Sequence, residues 1–159
     1  MDYPSYFHLL GLPFPESRDG ILHALASDDM ILTNESGQYG ITNLGAILFA
    51  KELSAFKSLS RKAIRVVLYK GNSRIATIRE KEEKSGYACG YEGLIDYINT
   101  MVPSNEVVGK ALRKEVPMYP ELAIRELVAN AIIHQDFNVR GAAPLIEIFE
   151  DRMEITNPG

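Results

Sequence analysis

The stretch from Tyr119 to Gly159 constrains this chain more than any other. Ile124, Leu127, Val128, Ala131 and Ile132 recur at steps of three and four, the period of a helix with one buried face. Tyr119-Pro120 supplies a start, because proline fits the first turn of a helix and Glu121 favours its positive end. On the predicted helix Glu126, Asn130 and His134 fall four apart and share one ridge, with Arg125 beside it. After a polar break, Leu145 to Ile155 alternates apolar and acidic residues as a hairpin would. Ile146 and Ile148 point one way and Glu147 and Phe149 the other; Glu150-Asp151 makes the tight turn, and Asn157-Pro158-Gly159 ends the second strand.

A carboxylate and a carboxamide one helical turn apart can share a hard cation, and the carboxylate can also polarise a water. Magnesium takes oxygen ligands and is commonly held by one or two protein groups plus substrate phosphates. The Glu126/Asn130 spacing therefore has chemical content. It equally describes a solvated polar face on a core-packed helix. Spacing alone leaves both readings open.

The run Arg125-Glu126-Leu127-Val128-Ala129-Asn130-Ala131-Ile132-Ile133-His134-Gln135-Asp136, followed by Asp151-Arg152-Met153-Glu154-Ile155-Thr156-Asn157-Pro158-Gly159, closely resembles a two-part signature. That signature belongs to bacterial and archaeal transcriptional regulators and RecG-like ATP-dependent helicases. Their C-terminal part is similar to a GHKL (Bergerat-fold) ATPase. The resemblance implies that the first motif is the N-box helix, with Glu126 as general base for the attacking water and Asn130 as magnesium ligand. It places His134, Asp136, Asn157 and Gly159 with Asn130 around the nucleotide, and implies ATP and Mg2+ as cofactors. Asn157-Pro158-Gly159 stands where such proteins carry the Asp-x-Gly-x-Gly box that holds adenine. Relatives also carry an upstream Schlafen-type AlbA-like domain associated with nucleic-acid binding.

Two departures from that pattern shape the expectation. Asn157 replaces the adenine-binding aspartate and can donate as well as accept a hydrogen bond. The second glycine of the box, the lid and the later glycine box do not occur before the sequence stops at Gly159, and no G-x-x-x-x-G-K-[ST] loop takes their place. We therefore expect an internal piece of a longer protein that carries part of a nucleotide site and no turnover of its own. His134 is expected to steady the end of its helix and the loop through Arg140-Gly141, a direct proton transfer being the alternative.

The 159 residues suffice for one substantial core or two small ones. No run of eighteen apolar residues and no basic-then-apolar leader is present, so we expect a cytoplasmic protein without a membrane span. The single Cys89 has no partner for an internal disulfide, and its expected place is buried or half-buried. His8 and His23 sit among apolar residues and are expected at the edge of a core. The net charge of −4 is unevenly spread: residues 57–84 hold nine Lys/Arg against three Glu, and the other residues hold 8 basic against 18 acidic groups. Such a reversal can mark a nucleic-acid contact, although Glu80, Glu82 and Glu83 interleave with Lys81 and Lys84 as on any exposed surface.

Within the first third, Ser5 to Leu10 can form a helical turn and Ser17 to Met30 reads as a helix capped near Ser17 or Asp19. Ile31-Leu32-Thr33 and Gln38 to Ile41 read as strands around Asn34-Glu35-Ser36-Gly37, and Thr42 or Asn43 caps a helix from Leu44 to Phe56. Helix, hairpin, helix is the outline of a winged-helix unit. Residues 1–56 hold Arg18 and Lys51 against seven acids, a poor surface for DNA and a better one for structural or protein contacts. Farther on, Ala63 to Tyr69 reads as a buried strand, Gly71-Asn72-Ser73 as a turn, Ile75 to Ile78 as a strand and Lys81 to Gly90 as a charged loop. Tyr91 to Met101 reads as a helix, and Val107, Val108 and Leu112 as a strand leading into Tyr119.

The fold expected is α+β: a winged-helix-like subdomain over 1–56, then a helix-on-sheet layer over 61–159 forming the N-terminal portion of a GHKL-like ATPase module. The function expected is that of a piece of an ATP-binding, DNA-linked transcriptional regulator or helicase-like protein. The alternative is a non-catalytic binding or dimerisation module. Candidate partners are DNA, through flanking domains or residues 57–84, and a second copy of the chain.

Overall fold

The computed structural model describes residues 1–108, 113–139 and 141–159, and its architecture is α+β. Residues divide into two units: Met1–Ala63 with Lys84–Tyr91, and Ile64–Glu83 with Glu92–Gly159.

In the first unit, α1 (Tyr3–Leu9) takes Pro4 in its opening turn. α2 (Arg18–Ser27) is capped by Ser17, whose hydroxyl accepts from Gly20 N at 3.1 Å. β1 (Ile31–Thr33) and β2 (Tyr39–Ile41) pair antiparallel, with Ile31 opposite Ile41. Asn34 Oδ1 organises the turn between them by accepting from Ser36 N and Gln38 N at 3.0 and 2.8 Å, and Gly37 supplies the positive φ of 73°. Thr42 caps α3 (Asn43–Phe49) through Gly45 N at 2.8 Å and donates its own hydroxyl to Asp29 O at 2.7 Å. Tyr6, Phe7, Leu25, Met30, Ile31 and Phe49 form the core, where the Tyr6 ring meets Phe7 and Phe49 edge-on at 5.0 and 5.5 Å.

The helix expected to run to Phe56 stops at Phe49. The backbone of the following residues is claimed elsewhere: Gly86 N donates to Ala50 O and Leu53 N to Lys84 O, both at 2.8 Å. Ala50 is accordingly extended, and Leu53–Ala55 makes a separate 3-10 turn with Leu53 buried. Chain pairing from residues 84–86 outweighs the helical period. His8 and His23, expected at a core edge, are exposed. Cys89 is half-buried among the apolar residues around that core, as expected.

In the second unit, β3 (Ile64–Tyr69), β4 (Thr77–Glu83), β7 (Leu145–Ile148) and β8 (Met153–Thr156) form one sheet in the order β4-β3-β7-β8. β3 and β7 run parallel, with Val66 opposite Ile146 and Leu68 opposite Ile148; the other pairs are antiparallel. A parallel pair needs a long crossover, and α4 (Tyr87–Met101), the β5–β6 ribbon (Ser104–Val108 and Arg113–Pro117) and α5 (Glu121–Ile133) occupy it. Buried side chains come from Ile64, Val66, Ile146 and Ile148 on the strands, Leu94, Ile95 and Ile98 on α4, and Ile124 and Val128 on α5.

Local readings fail here in two places. The segment read as a charged loop over 81–90 contains the end of β4 and the first turn of α4. The β-strand expected at Ile75 begins at Thr77. The strand reading around Val107 and Val108 meets a strand in β5, whereas Leu112 lies outside the described residues.

Candidate functional site

α5 lies along β8, and hydrogen bonds tie the two together at both ends. Pro120 sits at its N-cap and not inside the first turn, its carbonyl accepting from Ala123 N and Ile124 N. The preceding Tyr119 accepts at its hydroxyl from Met153 N, at 3.2 Å, where β8 begins. At the far end Asn157 Nδ2 donates to Ala131 O at 3.3 Å and Asp136 N donates to Pro158 O at 2.6 Å. A side-chain carbon on Gly159 would stand 3.3 Å from His134 O, so the backbone there runs tight against the end of the helix. Helix and strand thus point the same way, and the motif that ends the strand docks on the last turn of the helix.

The faces of α5 follow from the helical period. Ile124, Val128 and Ala131 are buried, while Glu126, Asn130 and His134 project on the opposite side and are exposed. Neither the Glu126 carboxylate nor the Asn130 carboxamide hydrogen-bonds a described residue, so both keep their oxygens for a ligand. Leu127, read as a core position, is 51% exposed; Leu122 and Ile133, at 69% and 68%, are exposed as well. A helix whose inner face is filled by three residues in two turns leaves Leu127 outside.

Asn157, Gly159, His134 and Asp136 come together at the C-terminal end of α5. His134 is the C-cap residue, its N–H donating to Asn130 O at 3.0 Å. Asp136 Oδ1 accepts from Asn138 N at 2.8 Å. Gln135, absent from the expected site, is buried and donates from Nε2 to Ile132 O at 3.0 Å, which closes the helix end. Arg140, in the loop that His134 was expected to steady, lies outside the described residues. Glu126 and Asn130 stand one turn apart on the outer ridge, with Asn130 adjacent in the chain to the Ala131 carbonyl that Asn157 engages.

The donor set suits a magnesium–phosphate ligand. Two neutral-or-anionic oxygen groups, unpaired among the described residues and one turn apart, match the few protein contacts that Mg2+ accepts when phosphates and waters supply the rest. No group of three or more His, Cys, Asp or Glu among the described residues could cage a metal unaided. Asn157 commits its NH2 to Ala131, which leaves its carbonyl oxygen to accept from an amino group.

A second constellation escaped the local reading. Glu147, with Ile146 and Ile148 as neighbours, is 4% exposed. Arg74 grips it with two bonds, Nε to Oε1 at 2.6 Å and Nη2 to Oε2 at 2.8 Å, and Tyr69 donates its hydroxyl at 3.2 Å. Arg74 also reaches Glu154 at 2.6 Å, and Arg152 Nε takes the other oxygen of Glu154 at 2.6 Å. The Arg152 guanidinium lies 4.0 Å over the Phe149 ring, which stacks on Tyr69 at 5.0 Å. The Arg74 guanidinium holds the Glu147 carboxyl below the usual carboxylate range against the opposing effect of burial. Burial, followed by the bond to Glu147, raises the Tyr69 hydroxyl. An acid set in the run LIEIF was the available sequence signal; its partner lies 73 residues away.

Several cations of the 57–84 stretch are also engaged. Arg65 pairs with Glu80, Arg74 with Glu147 and Glu154, and Lys81 with Glu83, while Lys62 is buried. On the first unit, an open groove of about 430 Å³ along the β1–β2 hairpin is lined by Leu32, Tyr39, Ile41 and Thr42 among others, without an acid–base pair. Among the described residues no helix is long and apolar enough to cross a membrane.

No family model matches the sequence, and no curated protein matches it either. The crystal structure of the DIP2311 protein from Corynebacterium diphtheriae is similar, with a TM-score of 0.57 and 25% identity over 80% of this chain. The match covers 24% of that protein, so the chain spans about a quarter of its length.

Proposed function

We propose that residues 61–159 form the N-terminal portion of a GHKL-like nucleotide-binding module in a DNA-linked transcriptional regulator or helicase-like protein of the cytoplasm. One observation carries the reading: the helix bearing Glu126 and Asn130 runs beside β8, and Asn157-Pro158-Gly159 at the end of that strand is bonded to the last turn of the helix. A nucleotide lying across that end would meet both motifs. Asn130 would hold the magnesium and the phosphates it carries, and Asn157 Oδ1 would accept from an exocyclic amino group such as that of adenine. In a complete module, bound magnesium would supply charge neutralisation on the phosphates, and the Glu126 carboxylate would orient and deprotonate a water. The first 56 residues act as a winged-helix-like unit for structural or protein contacts. DNA is contacted through flanking domains or through residues 57–84, and a second copy of the chain is a further candidate partner.

Amide NMR of the 159-residue chain tests the site. Titration with Mg-ATP to about 10 mM, beyond the weak millimolar range of affinity, should shift resonances of residues 126–136 and 153–159. Asn130→Ala should abolish those shifts. Hydrolysis by this chain should stay at the level of a Glu126→Ala control. A wild-type spectrum unmoved by nucleotide would remove the reading and leave the non-catalytic binding or dimerisation module as the alternative.

A further inference from the structure

In the β7–β8 register Glu147 stands directly opposite Glu154. Two carboxylates facing each other across an antiparallel pair repel, and the pair disfavours its own register. The repulsion is sharpest here because Glu147 is almost wholly removed from water. Arg74 resolves it, placing one guanidinium between both acids with bonds of 2.6 and 2.8 Å to Glu147 and 2.6 Å to Glu154. The turn that delivers Arg74 is itself fastened to the β7–β8 turn. Gly71 N donates to Glu150 Oε1 at 3.0 Å, Glu150 N to Gly71 O at 3.3 Å, and Arg152 Nη1 to Asn72 O at 3.3 Å.

We propose that Arg74 is a positioning residue: by bridging Glu147 and Glu154 it locks β8 in register and so sets where Asn157-Pro158-Gly159 meets the end of α5. β8 is an edge strand of four residues, with few backbone bonds of its own to hold it. Its register on β7 decides which residues emerge beyond Thr156. A slip of one residue would turn Ile155 to the opposite face and carry Asn157 away from the Ala131 carbonyl. The consequence for nucleotide rests on the reading of the preceding subsection; the control of strand position does not.

Hydrogen exchange without nucleotide separates the two. Arg74→Gln should speed exchange of the amides of residues 153–159 on the order of tenfold while those of β3 keep their protection. Arg74→Gln combined with Glu154→Gln removes one of the facing charges and should return exchange of 153–159 toward wild type. Rescue by a second substitution that adds no packing is the mark of relieved repulsion, and a merely structural loss of Arg74 would not show it. Unchanged exchange in Arg74→Gln overturns the proposal. Should Arg74→Gln loosen the whole sheet, the double variant decides: no recovery overturns the proposal and recovery upholds it. A wild-type chain that ignores Mg-ATP but shows this exchange pattern sinks the nucleotide reading alone.

Discussion

Asn157 donates its side-chain amide to the carbonyl oxygen of Ala131 across 3.3 Å, fastening the end of β8 to the last turn of α5. The bond fills one of the carbonyls a helix leaves unpaired near its C-terminus. It also makes the asparagine here different from the aspartate of the motif it resembles. Asn157→Asp would set a carboxylate against a carbonyl lone pair. We expect a loss of about 1–2 kcal/mol in urea unfolding, the range for a bond lost with its acceptor left behind. Wild-type stability in the variant would mean that the bond is not formed in solution.

Ile124 and Leu127 look alike in the sequence but differ in burial. Ile124 is fully buried and Leu127 half exposed. Ile124→Ala should cost about 2–5 kcal/mol, the range for a cavity left in a packed core. Leu127→Ala should stay within about 0.5 kcal/mol. Thermal or urea denaturation of the two variants side by side reads the difference, and equal costs would contradict the orientation of α5.

Glu147 should make the chain acid-sensitive. Its carboxyl is held below the usual 4.5 by Arg74, with Tyr69 assisting. The folded state therefore binds this proton less readily than the unfolded one. That contribution to stability is present above about pH 4.5 and is lost as the pH falls through the lowered folded value. Glu147→Gln should lower stability at neutral pH by about 1–3 kcal/mol, because the amide cannot satisfy Arg74 as the carboxylate does. Plotted against pH, the urea midpoint of the variant should fall less steeply below pH 4.5 than that of the wild type; parallel curves would refute the assignment.

Tyr6 should limit stability at the alkaline end. Its hydroxyl is buried and donates to Asp28 at 2.7 Å, which pushes its pKa up to about 12. The protonated form is favoured by folding, so this contribution is complete below pH 10 and is lost as the pH rises from 10 to about 12. Ultraviolet titration should show one tyrosine ionising last, and Tyr6→Phe should remove that late step. A titration completed near pH 10 in the folded wild type would count against the buried pair.

Much of the chain was legible because its signals are short in range. Ser17 and Thr42 cap α2 and α3, each one of the two neighbouring candidates, Ser17 or Asp19 and Thr42 or Asn43, that the sequence offers. The Ile31 hairpin and the β7–β8 hairpin follow from strand pattern and turn residues. In the latter, Phe149 N and Arg152 O close the predicted Glu150-Asp151 turn at 2.8 Å. The helix over Glu121–Ile133 likewise needed its period and the proline before it. Even the ridge of Glu126, Asn130 and His134 follows from helical geometry.

Contacts between distant residues settled the remainder. No local pattern places β3 parallel to β7 in the centre of the sheet, since the pairing joins Val66 to Ile146. α3 ends at Phe49 because residues 84–86 take over the backbone groups beyond it, a competition invisible in the helical period. Leu127 faces outward because the inner arc of α5 is already filled by Ile124, Val128 and Ala131. Glu147, read by alternation as facing away from Ile146 and Ile148, is buried there because an arginine 73 residues away supplies the countercharge. Periodicity and caps are properties of neighbouring residues and can be read along the chain; strand order, burial of a charge and the choice of its partner depend on which distant groups meet.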